Sequence, residues 1–455
     1  MSRPAAFTAR EWARLLTVCG ALLFEGMSLS SINVQAPLIR DDLALSPFVL
    51  QVTVSAFLVV VAGGLLAAGR CADRYGRRRV FMIGVLLFGI GSAAAFLAAD
   101  ATVLVTGRVL QGAGATLSLP AAIAVVTTTF AAGGPRERAL GFYSAMGAGG
   151  FSLGLVVTGV VTTLFGWRWG FGIYVPLAAL VLVVARRAIP ADEGVERPAP
   201  VDWLGAVTGT VGLTGVTFAL AASPEPGQAG PAVVTGLLGA AFLAAFVTRQ
   251  RTAAQPLVPA EVARAPGTRL GGLALLVAFA GIAASLYHLN LGLQGELGYS
   301  ALQAGLAFLP QGAAVALLSG TGARAAGRWG AVPVITAGMA LEAVGMALFL
   351  TVGPDRPYAL TFLPASTLVG LGLAAIFPAA TALAVTGVPD RSHAVAAGVV
   401  TTCQQGGGAL GLALVTAVAL GTTSVTAVHT WAMTLIVLGT LAGTLAVRLL
   451  AARLR

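Results

Sequence analysis

The sequence predicts an all-α integral membrane protein with fourteen transmembrane helices: two six-helix bundles with an inserted helix pair between them. Three observations carry this. Of 455 residues, 57% are apolar and 10% charged, whereas a soluble domain is roughly half apolar and about 25% charged. Apolar runs long enough to cross a hydrocarbon core of ~30 Å, which takes about 20 helical residues, recur along the whole chain. The charge between them gathers in alternate loops.

Each span follows from a run and its punctuation. The first, 15–37, is too long for a signal-peptide core and has no small-residue cleavage site behind it, so it is a span. DDLALSP (41–47) separates it from 50–69, GRCADRYGRRRV (69–80) leads into 80–99, and Asp100 precedes 103–127. GGPRER (133–138) and FGWRW (165–169) introduce 138–164 and 169–187. The two longest polar stretches, ARRAIPADEGVERPAPVD (185–202) and RQRTAAQPLVPAEVARAPGTR (249–269), then bracket the spans 203–222 and 231–248. Spans at 270–293, 301–322, 332–352, 358–386, 395–420 and 429–449 complete the chain. The division is therefore 1–190 for the first bundle, 191–269 for linkers and inserted pair, and 270–455 for the second bundle.

Orientation follows from arginine, since short basic loops stay on the cytoplasmic side. With both termini inside, 23 arginines lie inside, three outside (Arg40, Arg168, Arg356) and one, Arg108, within a span. Shifting the topology by one helix destroys the asymmetry. A cytoplasmic-membrane location with both termini in the cytoplasm is expected.

Composition also excludes chemistry. All 27 basic residues are arginine, so neither a GxxxxGK[ST] phosphate loop nor a lysine Schiff base can be written. The net charge of +10 is dispersed between apolar runs, without the basic domain and aromatic interleaving of a nucleic-acid binder. Cys19, Cys71 and Cys403 have neither metal-ligand nor disulfide spacing. No nucleophile, base and orienting group stand together, so no enzyme, cofactor or metal is expected.

The halves repeat weakly. With Gly330 set against Gly76, Arg328 falls opposite Arg74 and Arg324 opposite Arg70, while Gly327 stands where Asp73 belongs. Parallel repeats of this kind mark transporters whose halves rock about a midplane site.

GRCADRYGRR fits the loop motif G-x-x-x-D-R-x-G-R-R, INVQAPLI (32–39) is similar to NVALPxI, and TGRVLQGAGA (106–115) carries R-x-x-Q-G. FGWRWGFGIYVP (165–176), GYSALQAGLAFLP (298–310) and AAGVVTTCQQGGGALGLAL (396–414) continue the pattern. The chain resembles the major facilitator superfamily, in its fourteen-span drug:proton antiporter branch. The resemblance implies export of a hydrophobic, or cationic, drug-like molecule in exchange for protons by alternating access. A small-molecule substrate, protons and membrane lipid are the expected partners, and the protein is expected to be a monomer. Three departures stand out: Ser28 replaces an Asp, Leu155 and Thr158 replace Pro and Gly in the fifth-span G-x-x-x-G-P-x-x-G-G motif (150–159), and Tyr174 replaces the Asn of INVP.

Ionisable groups inside spans are functional candidates by default. Glu25 lies mid-span on a stripe with Ser28 and Gln35, and is the expected proton-coupling acid, standing in for the missing Asp. Arg108 lies about 10 Å into the fourth span and Glu25 roughly 18 Å into the first, so a salt bridge, a water link or contact near Asn33 are open. Glu342 is mid-span on a peripheral helix, where a structural or lipid-boundary acid is as good a reading as a functional one. Substrate-cavity candidates are Ser28, Asn33, Gln35, Gln111, Tyr287, His288, Asn290, Gln294, Phe377 and Gln404. Gly69, Asp73, Arg74, Gly76 and Arg77 form, by resemblance, a cytoplasmic gate whose charge network closes the outward-facing state. Gly147, Gly150, Gly154 and Gly159 make a smooth fifth-span face for close packing, between the two halves by resemblance.

Overall fold

The computed structural model describes residues 7–131, 134–191, 201–223, 227–353, 355–389, 392–419 and 425–453. Its helices are α1 (Ala9–Asp42), α2 (Pro47–Tyr75), α3 (Arg77–Phe96), α4 (Ala101–Thr129), α5 (Gly134–Phe165), α6 (Trp169–Gly172), α7 (Tyr174–Ala188), α8 (Trp203–Ala222) and α9 (Ala229–Thr252). After the short α10 (Ala260–Arg264) come α11 (Pro266–Gly295), α12 (Ala301–Ala307), α13 (Leu309–Trp329), α14 (Ala331–Phe349), α15 (Phe362–Val385), α16 (His393–Ala419) and α17 (Val425–Arg453). Thirteen stretches among the described residues are long and apolar enough to cross a membrane, with α6–α7 and α12–α13 each counting as one. The remaining expected span, 395–420, falls on α16, which has 27 residues; Gln404, Gln405 and the glycines after them dilute its hydropathy. Residues 192–200 of the linker 185–202, and the side chain of His429, lie outside the described residues.

Local chemistry sets the ends. Thr8 and Glu11 form a capping box at α1, Ser46 caps α2 with Pro47 in its first turn, Asp100 caps α4, and Ser300 with Gln303 boxes α12. Between α2 and α3 the chain turns at Gly76 with φ 99°, and between α13 and α14 at Gly330 with φ 88°. Both values suit glycine alone at little cost, and the two residues are the pair that the internal repeat aligns.

The packing repeats as well. In the first set α1 lies on α5, α2 and α3 on α4, and α7 on α1 and α3. In the second set α11 lies on α16, α13 and α14 on α15, and α17 on α11 and α14. The α3–α4 seam is made of small residues: a Cβ at Gly114 would come within 2.6 Å of the Gly84 carbonyl oxygen, and one at Gly107 within 2.8 Å of the Gly91 carbonyl oxygen. Because backbone, not a flexible side chain, stands in the way, Gly114→Val is expected to cost about 3 kcal/mol, read as a large loss of folded protein in detergent.

Across the sets, α2 meets α16 and α5 meets α12 and α13, with α1 touching α11. The inserted helices cover one of these seams: α8 lies on both α2 and α16, with Thr210 filling the space over Gly63. At the face opposite the termini the sets close. Gln294 Nε2 donates to the Val34 carbonyl at 2.9 Å, and Gly159 of α5 sits against Ala301 and Leu302. Towards the terminal face Gly141, Gly149 and Gly327 have open space beside them, while Gly398 of α16 still meets Leu66 of α2 across the sets.

Candidate functional site

The polar centre of the first set lies between α1 and α4. Glu25 is 3% exposed and Arg108 fully buried, an arrangement that local hydrophobicity opposes and only specific partners can hold. Ser118 of α4 donates to Glu25 Oε1 at 2.5 Å, while Oε2 has no partner among the described residues. Arg108 Nη1 donates to Ser28 Oγ at 3.1 Å and to Gln111 Oε1 at 2.9 Å. Gln111 Nε2 in turn donates to Ser92 Oγ of α3 at 2.9 Å, and the guanidinium carbon stands 5.0 Å from the Phe57 ring centre of α2. Arg108 Nε and Nη2 have no hydrogen-bond partner among the described residues.

Glu25 and Arg108 therefore share a helix pair but not an ion pair. On α4, Arg108 and Ser118 are separated by ten residues, about 15 Å of axis, and each reaches α1 at its own depth. Ser28, not Glu25, meets Arg108, so Glu25 does not stand in for the missing Asp as a partner of the arginine. The contact near Asn33 is also absent, since Asn33 Nδ2 turns back to the Ser30 carbonyl of its own helix. With a single serine as its α1 partner, Arg108 is undercompensated; Ser28→Asp is expected to add a charge-assisted bond and raise the melting temperature, by about 1.5–3 kcal/mol in stability.

The remaining cavity candidates separate. Gln35 is buried and donates to the Trp167 carbonyl at 3.1 Å, tying α1 to the loop before α6. Tyr287 packs with Ile32, Leu50 and Leu412 in the seal at the face opposite the termini, where Gln294 also bonds. Asn290 is buried, donating to the Leu286 carbonyl of its own helix. In this conformation Gln35, Asn290 and Gln111 are buried and Gln294 is half-buried, and Gln35 Oε1 and Asn290 Oδ1 have no hydrogen-bond partner among the described residues. His288 stays at the α11–α16 contact, its Nε2 3.4 Å from Thr416 Oγ1. Gln404 is half-buried and Phe377 exposed.

The glycine face is also reassigned. Gly147, Gly150 and Gly154 face Leu22, Leu23 and Met27 of α1, inside the first set, and only Gly159 reaches the second. Leu155, at the motif's proline position, is buried, and its carbonyl lies against Gly305 of α12. In the gate, Asp73 is exposed and in no ion pair among the described residues. Arg77 and Arg70 lie near enough to favour the charged form of its carboxyl. Arg70, at a position the motif leaves open, donates to the Pro256 carbonyl of the linker at 2.8 Å.

Sequence reasoning missed Ser118, Ser92 and Phe57. Nothing separates Ser118 in the sequence from the other hydroxyls of spans, because only the α1–α4 contact gives it an acid to meet. It also missed that Asp42 joins Trp167 Nε1 at 3.1 Å and Arg168 Nη1 at 2.7 Å, pinning the end of α1 to the start of α6.

The sequence model of the Major Facilitator Superfamily matches residues 18–411 and again 271–455. The chain belongs to this superfamily. The puromycin resistance protein of Streptomyces alboniger is 36% identical over 91% of this chain and 83% of its own length. The cephamycin export protein of Amycolatopsis lactamdurans is 34% identical, over 90% of this chain and 85% of its own. The lincomycin resistance protein of Streptomyces lincolnensis is 33% identical over the same shares, 90% and 85%. Among solved structures, a peptide transporter in complex with sulfate superposes with a TM-score of 0.72 at 17% identity, covering 97% of this chain and 94% of that one. That likeness concerns the fold: the paired helix sets are those of a Major Facilitator Superfamily transporter.

Proposed function

We propose that this protein is a secondary active transporter that exports a hydrophobic or cationic small molecule, of the drug or antibiotic class, across the cytoplasmic membrane in exchange for protons. One observation carries the export reading: relatives named for resistance to, or export of, chemically different antibiotics each align over about nine-tenths of the chain. The terminal face is then cytoplasmic, in keeping with its arginines.

The acid at Glu25 supports the proton half of the exchange. It is buried, bonded through one oxygen to a neutral hydroxyl, and apart from Arg108, so a proton can be added or removed there without breaking an ion pair. In the cycle, substrate enters from the cytoplasm between the two sets, the Asp73–Arg77 network holds that side closed in the outward-facing state, and protonation of Glu25 from outside favours release and return. A membrane potential contributes about 2.3 kcal/mol per charge per 100 mV, enough to matter for a cationic substrate. The site and gate residues keep these roles as proposals, as does the division at 190 and 269.

Efflux of a panel of antibiotics from cells, repeated in inverted vesicles with and without a pH gradient, tests this. Uptake into inverted vesicles that rises with an inside-acid gradient is the expected result; accumulation driven the other way would overturn export. That second outcome is the signature of an uptake carrier or uniporter of the same fold, the alternative that Leu155 and Ser28 keep open by departing from the antiporter pattern.

A further inference from the structure

The second helix set holds an acid that the cycle above does not use. Glu342 of α14 is fully buried, and neither of its carboxyl oxygens has a hydrogen-bond partner among the described residues. It does not face lipid, as a boundary acid would. Gly281 of α11 makes room for it: a Cβ there would stand 3.5 Å from both Glu342 Oε1 and Thr440 Oγ1 of α17. From the other flank Gly372 of α15 admits the backbone of α14 at this residue, where a Cβ would lie 2.9 Å from the Glu342 nitrogen. The carboxyl thus sits where four helices meet.

No charge from those helices offsets it. Neither α15 nor the rest of α14 has an ionisable residue. On α11, Arg269 is about 18 Å and His288 about 10 Å from Gly281 along the axis, and His288 faces Thr416 of α16. On α17, Arg448 is about 12 Å below Thr440, Arg453 lies beyond it, and His429 is at the far end of the helix. A carboxylate without a partner is strongly disfavoured in such a niche, so the niche holds the neutral, protonated acid.

A stripe of polar side chains runs along α17 towards the terminal face. Thr440, Thr444 and Arg448 are spaced by four and share one face of the helix. Both threonines donate to their own helix, Thr440 to the Ile436 carbonyl at 2.9 Å and Thr444 to the Thr440 carbonyl at 2.7 Å. Their lone pairs are left as acceptors, which is what a protonated carboxyl or a passing hydronium requires. At the terminal face the stripe ends in a groove of about 430 Å³ between α14 and α17, lined by Val332, Pro333, Thr336, Arg448, Ala451 and Ala452.

We propose that Glu342 is a second proton-binding site, loaded and emptied from water on the terminal face through the α14–α17 groove, past Thr444 and Thr440. This goes beyond the role of Glu25 and does not rest on it. The test is infrared spectroscopy of the full chain in liposomes, following the C=O stretch of protonated carboxyls after transfer to D₂O. The expected result is a band that disappears in Glu342→Gln, persists in Glu25→Gln, shifts on deuteration in the folded protein, and shifts several-fold more slowly in Ala452→Trp, which fills the exposed groove. If Glu342→Gln does not fold, Glu342→Asp must displace the same band. The proposal is overturned if neither variant alters a carboxyl band, if the band never exchanges, or if Ala452→Trp leaves its exchange rate unchanged. Loss of gradient-driven export in Glu25→Gln with the Glu342 band intact keeps the two sites distinguishable.

Discussion

Glu25→Gln is expected to abolish pH-gradient-driven export in inverted vesicles, leaving transport at the rate seen without a gradient. The glutamine keeps the volume of the side chain and can still accept from Ser118, whose hydroxyl lies 2.5 Å from Glu25 Oε1. Insertion and folding should therefore survive, and so should exchange of labelled for unlabelled substrate down no gradient. What the amide cannot do is gain and lose a proton. Ser118→Ala separates the carboxyl from its bond: it should weaken coupling only partly, because one neutral hydrogen bond is worth about 1 kcal/mol. Undiminished driven export by Glu25→Gln would remove this residue from the coupling mechanism.

Arg108→Met is expected to raise thermal stability and to eliminate transport. An arginine at the centre of a span costs about 2.5–3.5 kcal/mol to insert, an upper bound for Arg108, which lies about 10 Å in. Here the offsets are bonds from one guanidinium nitrogen to Ser28 and Gln111 and the ring of Phe57, with Nε and Nη2 left without hydrogen-bond partners among the described residues. A cation over an aromatic face contributes about 0.5–2 kcal/mol, so the balance is close. A methionine of comparable length removes the cost of the charge, and a gain of about 1 kcal/mol should appear as a higher melting temperature in detergent. A charge held at such poor compensation is best explained by work in another conformation, where the sets open to the other face and water or substrate reaches it. A lower melting temperature with transport intact would contradict both halves of this argument. Ser28→Asp complements the test, since it should stabilise the protein by pairing the arginine instead of removing it.

Much of the site was visible as a list and little of it as a set of contacts. Glu25, Arg108 and Glu342 announce themselves because charge inside an apolar run is costly wherever it points. Their partners do not: Ser118 and Thr440 resemble every other hydroxyl in a span, and Gly281 resembles the chain's many other packing glycines. Glu25 and Ser28 lie one turn apart on α1, yet the first meets Ser118 and the second meets Arg108. Gln35, Tyr287 and Gln294 read as cavity polar groups, but close contact at one face turned them into a seal. The motif glycines of α5 promised a close helix partner, and the partner at three of four positions is α1 of the same set.

The amino-acid order by itself determined the helical membrane fold, the placement of its spans, the break at Gly76 and Gly330, and the family. Hydropathy, capping and backbone freedom act locally, so they can be read residue by residue. Only the tertiary structure decided which polar groups pair, which face is closed, and that neither buried acid has a charged partner among the described residues. A buried charge takes whatever the neighbouring helix presents at its depth, and depth and facing belong to the packing of helices far apart in the chain.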